Sequence, residues 1–137
     1  MADHAIQVQH FSASIRHKPG EGARVLGALR DSGINLIALW GYKTGPGRAR
    51  LEIIPEDGAA FAAAARRMKL RVKKSAALYI QGDDRRGAIA EILAKLAAAR
   101  INVDALHAVA AGGGRYGAVV FLPAAARRKA ARILGAG

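Results

Sequence analysis

The chain of 137 residues contains no cysteine, so disulfides, thiolate metal ligands and cysteine nucleophiles are all excluded. Aromatic residues are few, three Phe, three Tyr and one Trp. None belongs to the strand-borne aromatic motif on which RNA-recognition modules stack bases. Acidic residues are outnumbered, ten Asp and Glu against 22 Lys and Arg, which leaves a net charge of +12. The carboxylates are spread over helix ends and surfaces, and no Ser-His-Asp ordering accompanies them. His4, His10, His17 and His107 lack metal-ligand spacing. No catalytic constellation, metal or cofactor is therefore expected, and a binding protein is favoured over an enzyme. Long apolar runs are also missing. The longest, Ser32 to Tyr42, falls short of the roughly 20 residues needed to cross a bilayer. Charged and histidine residues from His4 to Lys18 exclude a signal-peptide pattern, so the expected location is cytoplasmic.

What the sequence does contain is an internal duplication. One ungapped offset lays Gly20 on Gly87, Ala23 on Ala90, Leu26 on Leu93, Leu29 on Leu96, Ile34 on Ile101 and Asn35 on Asn102. The same offset pairs Leu39 with Leu106, Gly45 with Gly112 and Arg48 with Arg115. Composition alone would favour Ala, Gly and Arg matches, whereas Leu, Ile and Asn match too. Two copies of one supersecondary unit are expected, one over residues 1–74 and one over 75–137, rather than a solenoid.

Within the first copy, alternation predicts a strand over Ala5 to Ile15. Its phase changes near Gln9 and His10, which marks a bulge or a strand passing from one sheet environment to another. Lys18-Pro19-Gly20 ends the strand, and a helix carrying Val25, Leu26 and Leu29 runs to Ser32-Gly33. A strand over Ile34 to Trp40, a hairpin loop at Gly45 to Arg48 and a strand through Leu51, Ile53 and Ile54 follow. Asp57 caps a second helix with Phe61, Ala64, Ala65 and Met68 on one face. Leu70 and Val72 lead into Leu78 and Ile80, one strand serving both copies.

The second copy repeats the order with a helix bearing Ile89, Ile92, Leu93 and Leu96. A strand over Ile101 to Val109, a glycine turn, a strand over Gly117 to Leu122 and a helix from Pro123 to Leu134 complete it. The turn Gly112 to Gly117 lies between strands and lacks the Gly-Lys-Ser/Thr ending, so it reads as a hairpin and not a phosphate loop. A last strand is missing from this copy. The surplus N-terminal strand, Ala5 to Gln9, is expected to supply it.

Each copy thus reads strand, helix, strand, strand, helix, strand: an α+β fold of two ferredoxin-like βαββαβ units, with antiparallel sheets and helices on one face. A strand ending in a Pro-Gly turn, an amphipathic helix and then Gly33-Ile34-Asn35-Leu36 resembles the ACT domain, the small-molecule-sensing module of amino-acid metabolism. With two copies the chain resembles a stand-alone tandem ACT protein. The turns depart from the family's Asp-x-Pro-Gly: His17-Lys18-Pro19-Gly20 keeps Pro-Gly, and Asp84-Arg85-Arg86-Gly87 keeps Asp and Gly.

The resemblance implies a regulatory protein binding an amino acid, and a homodimer. Its ligand-binding positions would be His17, Lys18, Pro19, Gly20, Asn35 and Leu36 in one copy, and Asp84, Arg85, Arg86, Gly87, Asn102 and Val103 in the other. Helix N-terminal N–H groups attract a carboxylate, and a glycine admits close approach. The same residues also serve as plain turns and local backbone partners. Trp40 reads as core or interface. The alternative function is a basic nucleic-acid-binding protein of ferredoxin-like fold, using Arg66, Arg67, Lys69, Arg71, Lys73 and Lys74 in one tract and Arg127, Arg128, Lys129 and Arg132 in another. Arginines scattered over solvated faces explain the same charge.

Overall fold

The computed structural model describes residues 3–135. Its elements are β1 (His4–Arg16), α1 (Glu21–Asp31), β2 (Leu36–Gly45), β3 (Arg48–Pro55), α2 (Gly58–Arg67), β4 (Val72–Asp83), α3 (Ala88–Ala98), β5 (Ala105–Ala110), β6 (Arg115–Phe121) and α4 (Arg127–Ile133). They form two compact units. Residues 9–75 make the N-terminal unit, and the residues up to Val8 together with those from Ala76 onward make the C-terminal unit. The N-terminal strand thus supplies the strand missing from the second copy. Both β1 and β4 serve the two units with different halves of one strand.

In the N-terminal unit the strands lie in the order β2-β3-β1-β4. β3 runs antiparallel to β1, with Phe11 opposite Ile53 and Ile15 opposite Ala49, and antiparallel to β2, with Trp40 opposite Glu52. The core gathers Phe11, Ala13, Val25, Leu29, Ile53, Phe61, Ala64 and Ala65 between sheet and helices. Phe11 and Phe61 meet with ring centroids 4.6 Å apart. In the C-terminal unit the order is β1-β4-β6-β5, with β6 antiparallel to β4 and β5. Ala5 is fully buried there among Leu78, Ile80, Ile92, Leu96 and Val120. Arg85 donates to both carboxylate oxygens of Asp3, at 3.1 and 3.2 Å. The incoming strand is thereby held at its start as well as along its core face.

The expected phase change at Gln9 and His10 is not present: β1 passes between units after Val8 without turning over, and Ile6, whose apolarity suggested the slip, is exposed. Odd positions Ala5, Phe11, Ala13 and Ile15 pack into the two cores, and no register shift interrupts β1 against β3. The Pro46-Gly47 turn joins β2 to β3 with Gly47 at φ +70°, and Gly112 to Gly114, all at positive φ, join β5 to β6. Both expected hairpins are present.

Two strand starts are later than the apolar runs predict: β2 begins at Leu36 rather than Ile34, and β5 at Ala105 rather than Ile101. The reason is helix capping. Ile34 N–H donates to Leu29 O and Gly33 N–H to Arg30 O; Ile101 repeats this with Leu96 and Arg100 with Ala97. Leu70 likewise bonds back to Ala65 and Lys69 to Arg66, so β4 starts only at Val72. These are Schellman motifs, in which the apolar residue after the left-handed one folds back on the helix and satisfies its last carbonyls. The last helix is also shorter than expected, a 3-10 turn at Ala124–Ala126 preceding α4. Asp57 caps α2 as read, its side chain accepting from Ala60 N–H at 3.0 Å.

Candidate functional site

The two turns that precede the first helix of each unit share a backbone. Gly20 stands at the N-cap of α1 with φ +88°, and Gly87 at that of α3 with φ +80°. Both conformations lie in the left-handed region that glycine adopts without strain. No side chain caps either helix. The first N–H of each helix bonds back to the turn, Glu21 to Lys18 O and Ala88 to Arg85 O, and it is the N–H groups that follow in the first turn that can face an anion.

Around α3 this turn shapes a depression of about 280 Å³. Asp84, Arg85 and Gly87 line it on one side, the first turn of α3 from Ala88 to Ala90 forms its floor, and Ala108 to Ala110 of β5 face them. Arg85 is a fixed element of the wall. Its guanidinium bonds to Asp3, to Glu91 at 2.7 Å and to Asp83 O at 3.0 Å, and the hydrogen bonds to Asp3 and then Glu91 raise its pKa so that it stays charged. Asp3 is driven below the ordinary carboxylate range, first by the Arg85 hydrogen bond. Tyr116, also lining the depression, has its hydroxyl pushed up to about 12, first by burial and then by the adjacent Asp3. Asp84 is exposed, and its backbone N–H donates to Gly114 O at 2.8 Å. Arg86 is exposed and does not line the depression.

Asn102 and Val103 lie past the other end of α3, a helix of 11 residues. At 1.5 Å per residue that is about 16 Å away from the turn. The same holds in the N-terminal unit. His17, Lys18, Pro19 and Gly20 are exposed at one end of α1, with His17 N–H bonded to Gly47 O, while Asn35 and Leu36 follow its other end. Asn35 accepts from Glu56 N–H through its carbonyl, and Leu36 packs on the core. The fold therefore brings together Asp84, Arg85 and Gly87, and separately His17 to Gly20. Within one unit it does not join either turn to the asparagine that follows the helix.

A second polar constellation lies on the N-terminal unit's sheet, on the face opposite its core. Glu52 is buried and accepts from Tyr42 Oη at 2.6 Å and Ser12 Oγ at 3.1 Å, while its other oxygen lies 2.7 Å from His10 Nε2. A carboxylate can only accept, so Nε2 carries the proton. His10 Nδ1 in turn meets Ser75 Oγ at 2.7 Å, and the ring stacks on Trp40 at 6.0 Å and 9°. Glu52 raises the Tyr42 pKa, chiefly through their hydrogen bond. In linear sequence His10 and Trp40 lie apart and nothing marks Glu52. The available signal was parity: His10, Ser12, Trp40, Tyr42 and Glu52 are all even positions on neighbouring strands. Trp40 is half-buried in this cluster rather than part of the hydrophobic core.

No family model and no curated protein sequence matches the chain. Solved structures do. The chain is similar to protein BT0572 from Bacteroides thetaiotaomicron, with a TM-score of 0.82 and 21% identity over 95% of this chain and 88% of that one. It is similar to the ligand-free regulatory subunit of aspartate kinase from Thermus thermophilus, with a TM-score of 0.68 and 18% identity over 98% and 95%. The corresponding subunit from Thermus flavus gives 0.59 and 18% over the same shares. At these identities the likeness shows the fold, and that fold is two ferredoxin-like α+β units in tandem.

Proposed function

We propose that this protein is a non-catalytic regulatory module that binds an amino acid or a closely related small molecule. The observation that carries this reading is the depression at the start of α3, where Asp84, Arg85 and Gly87 converge with an uncapped helix N-terminus. A ligand carboxylate placed there meets first-turn N–H groups, and its ammonium meets Asp84. At about 280 Å³ the space suits a ligand of amino-acid size, near the small end of ordinary pockets. Likeness to aspartate kinase regulatory subunits supports the same class.

The two ends of each helix suggest how binding becomes regulation. A ligand cannot touch both the turn and the post-helix asparagine of one unit, and a homodimer is proposed as the responsive assembly. Binding then shifts the dimer only by its difference in affinity for the two arrangements.

The test is a thermal-shift screen of the full chain against the amino acids. One or two should raise the melting temperature selectively, a ligand at a hundredfold excess over its dissociation constant adding about 2.7 kcal/mol. Ala108→Phe, on an exposed strand position lining the depression, should abolish that shift while leaving the unliganded melting temperature in place. If no amino acid shifts the protein at millimolar concentration, the reading is wrong.

A further inference from the structure

At the other functional extreme of the N-terminal unit lies a cleft that the amino-acid reading does not use. It is about 820 Å³ and is lined by Arg16, Arg24, Arg48, Arg50, Lys69 and Arg71. These come from the end of β1, the first turn of α1, the start of β3 and the α2–β4 connection. Elements far apart in sequence thus deliver like charge to one place. Among the described residues one carboxylate lines the cleft, Glu21, and Arg24 already holds it at 2.8 Å. That hydrogen bond is the first cause of the lowered Glu21 pKa. Among the described residues, no ion pair engages Arg16, Arg48, Arg50, Lys69 or Arg71. An adjoining depression of about 340 Å³ shares Ser14, Arg50 and Arg71 and adds Lys73 and Ser12.

The second copy provides an internal control. The positions that the duplication lays on Arg16 and Arg24 are Asp83 and Glu91, and Gly117 replaces Arg50. There Arg115, the counterpart of Arg48, is paired with Asp83 at 2.9 Å, and Arg85 is paired with Glu91 and Asp3. The same end of the same fold is therefore charge-neutralised in one copy and left cationic in the other. Concentrated like charge opposes compaction on its own, so a stable arrangement of this kind calls for an anion.

A free amino acid does not fit this demand. It brings one or two negative charges and an ammonium, which finds no uncommitted carboxylate in the cleft. A row of phosphates does fit, because guanidinium forks match phosphate oxygens and several charges are neutralised at once. We propose that the cleft binds a small multiply charged phosphate compound: an oligophosphate, either free or carried on a nucleoside. Ile15, Met68 and Leu70 in the same wall give an apolar surface for a base. A bounded cleft with aliphatic walls, rather than a charged tract bearing aromatic platforms, favours the small molecule over a nucleic-acid strand.

Lys69 supplies an unusual test. It adopts φ +58°, a conformation that suits glycine better than lysine. Lys69→Gly therefore removes a cleft charge while favouring the fold, and a binding loss cannot be ascribed to unfolding. Titration calorimetry on the full chain at fixed ionic strength should use inorganic phosphate, tripolyphosphate, ATP and a 20-nucleotide single strand. Tripolyphosphate and ATP are expected to bind at least tenfold more tightly than phosphate. Lys69→Gly should weaken both severalfold with an unchanged or raised melting temperature, and Arg48→Ala with Arg71→Ala at least tenfold. Arg128→Ala with Arg132→Ala, outside the cleft, should change them less than twofold. ATP binding more tightly than tripolyphosphate assigns the apolar wall to the base; equal affinity assigns the phosphates alone. Equal losses from the α4 pair, or preference for the strand over tripolyphosphate, would overturn the proposal in favour of diffuse polyanion attraction.

Discussion

The two units share a scaffold and differ in where they keep polar groups. Leu29 and Leu96 occupy matching buried positions on α1 and α3, and Val25 matches Ile92. On the sheet face opposite the core the match ends. His10, Ser12, Tyr42 and Glu52 of the N-terminal unit correspond to Ala77, Tyr79, Val109 and Val119. One copy buries a hydrogen-bonded network there, and the other places Ala77 and Val119 at the positions of its central pair. At the helix N-terminal end the contrast reverses, because the C-terminal unit pairs Arg85 and Arg115 with carboxylates, whereas among the described residues of the N-terminal unit's cleft only Arg24 is paired, with Glu21. Duplication preserved what packing demands and left charge free to diverge. Burial is a volume constraint that nearby residues share, whereas an exposed charge costs little to change.

The largest expected effect separates the units by chain origin. Removing residues 1–8 takes Ala5 from the C-terminal core and Asp3 from Arg85, and opens one edge of that unit's sheet. Amide exchange should show protection lost at Leu78, Ile80 and Val120 but retained at Ile53 and Phe61. Equal loss in both units would mean that the strand's first half stabilises them jointly, and the division at Val8 would have no energetic meaning.

A smaller effect tests the buried network. Glu52→Val installs the residue of the other copy but strands His10, Tyr42 and Ser12, at a cost of about 3 kcal/mol, because removing one partner of a buried pair leaves the other uncompensated. His10→Ala with Glu52→Val should cost less than the two single changes added together, since the pair is the main mutual dependence. Denaturant titration of the four proteins measures this. Strict additivity would show that the groups are solvated independently.

Much of this architecture was legible because the signals are local or repeated. The duplication, the Gly20 and Gly87 turns, the Asp57 cap and the shared strand β4 all rest on residue types whose backbone or packing needs are strong. The donation of the N-terminal strand was legible from a missing element rather than a motif. The capped helix ends were less so, since Ile34, Leu70 and Ile101 carry strand-like apolarity yet bond back to helices. The network around Glu52 depends on register among three strands, and register is a tertiary fact. The cationic cleft needs residues from β1, α1, β3 and the α2–β4 turn together, which linear spacing cannot display. Only its Lys69 and Arg71 stood out in the basic tract.

The Asp3–Arg85 contact sharpens the electrostatic side of the comparison through pH. The folded-state pKa of Asp3 is depressed, so its contribution is present above the unfolded value and lost as pH falls through the folded one. Asp3→Asn should cost about 1 kcal/mol at neutral pH, a modest figure because Arg85 is partly exposed and solvent screens the pair. The difference between the two proteins should hold from pH 8 to about 5 and shrink towards zero below about pH 4, as the wild-type carboxylate protonates. A difference that persists at pH 2 would assign the contribution of Asp3 to packing instead.

The smallest effect is the most direct comparison, because it exchanges one residue between equivalent positions. Gly33 and Arg100 each follow a helix at positive φ, +78° and +59°, and each donates the same capping bond to its helix. Arginine there carries the Cβ strain that glycine escapes, about 1 kcal/mol in a left-handed conformation. Part of that gain is returned because glycine loses more freedom on folding. Arg100→Gly should therefore stabilise the C-terminal unit by about 0.5 kcal/mol, and Gly33→Arg should destabilise the N-terminal unit by a similar or larger amount. Opposite signs in chemical denaturation establish that the two caps are one structure filled by two residues. If Arg100→Gly destabilises instead, the arginine side chain holds a contact worth more than its backbone strain, and the two helix ends have diverged in function as well as in sequence.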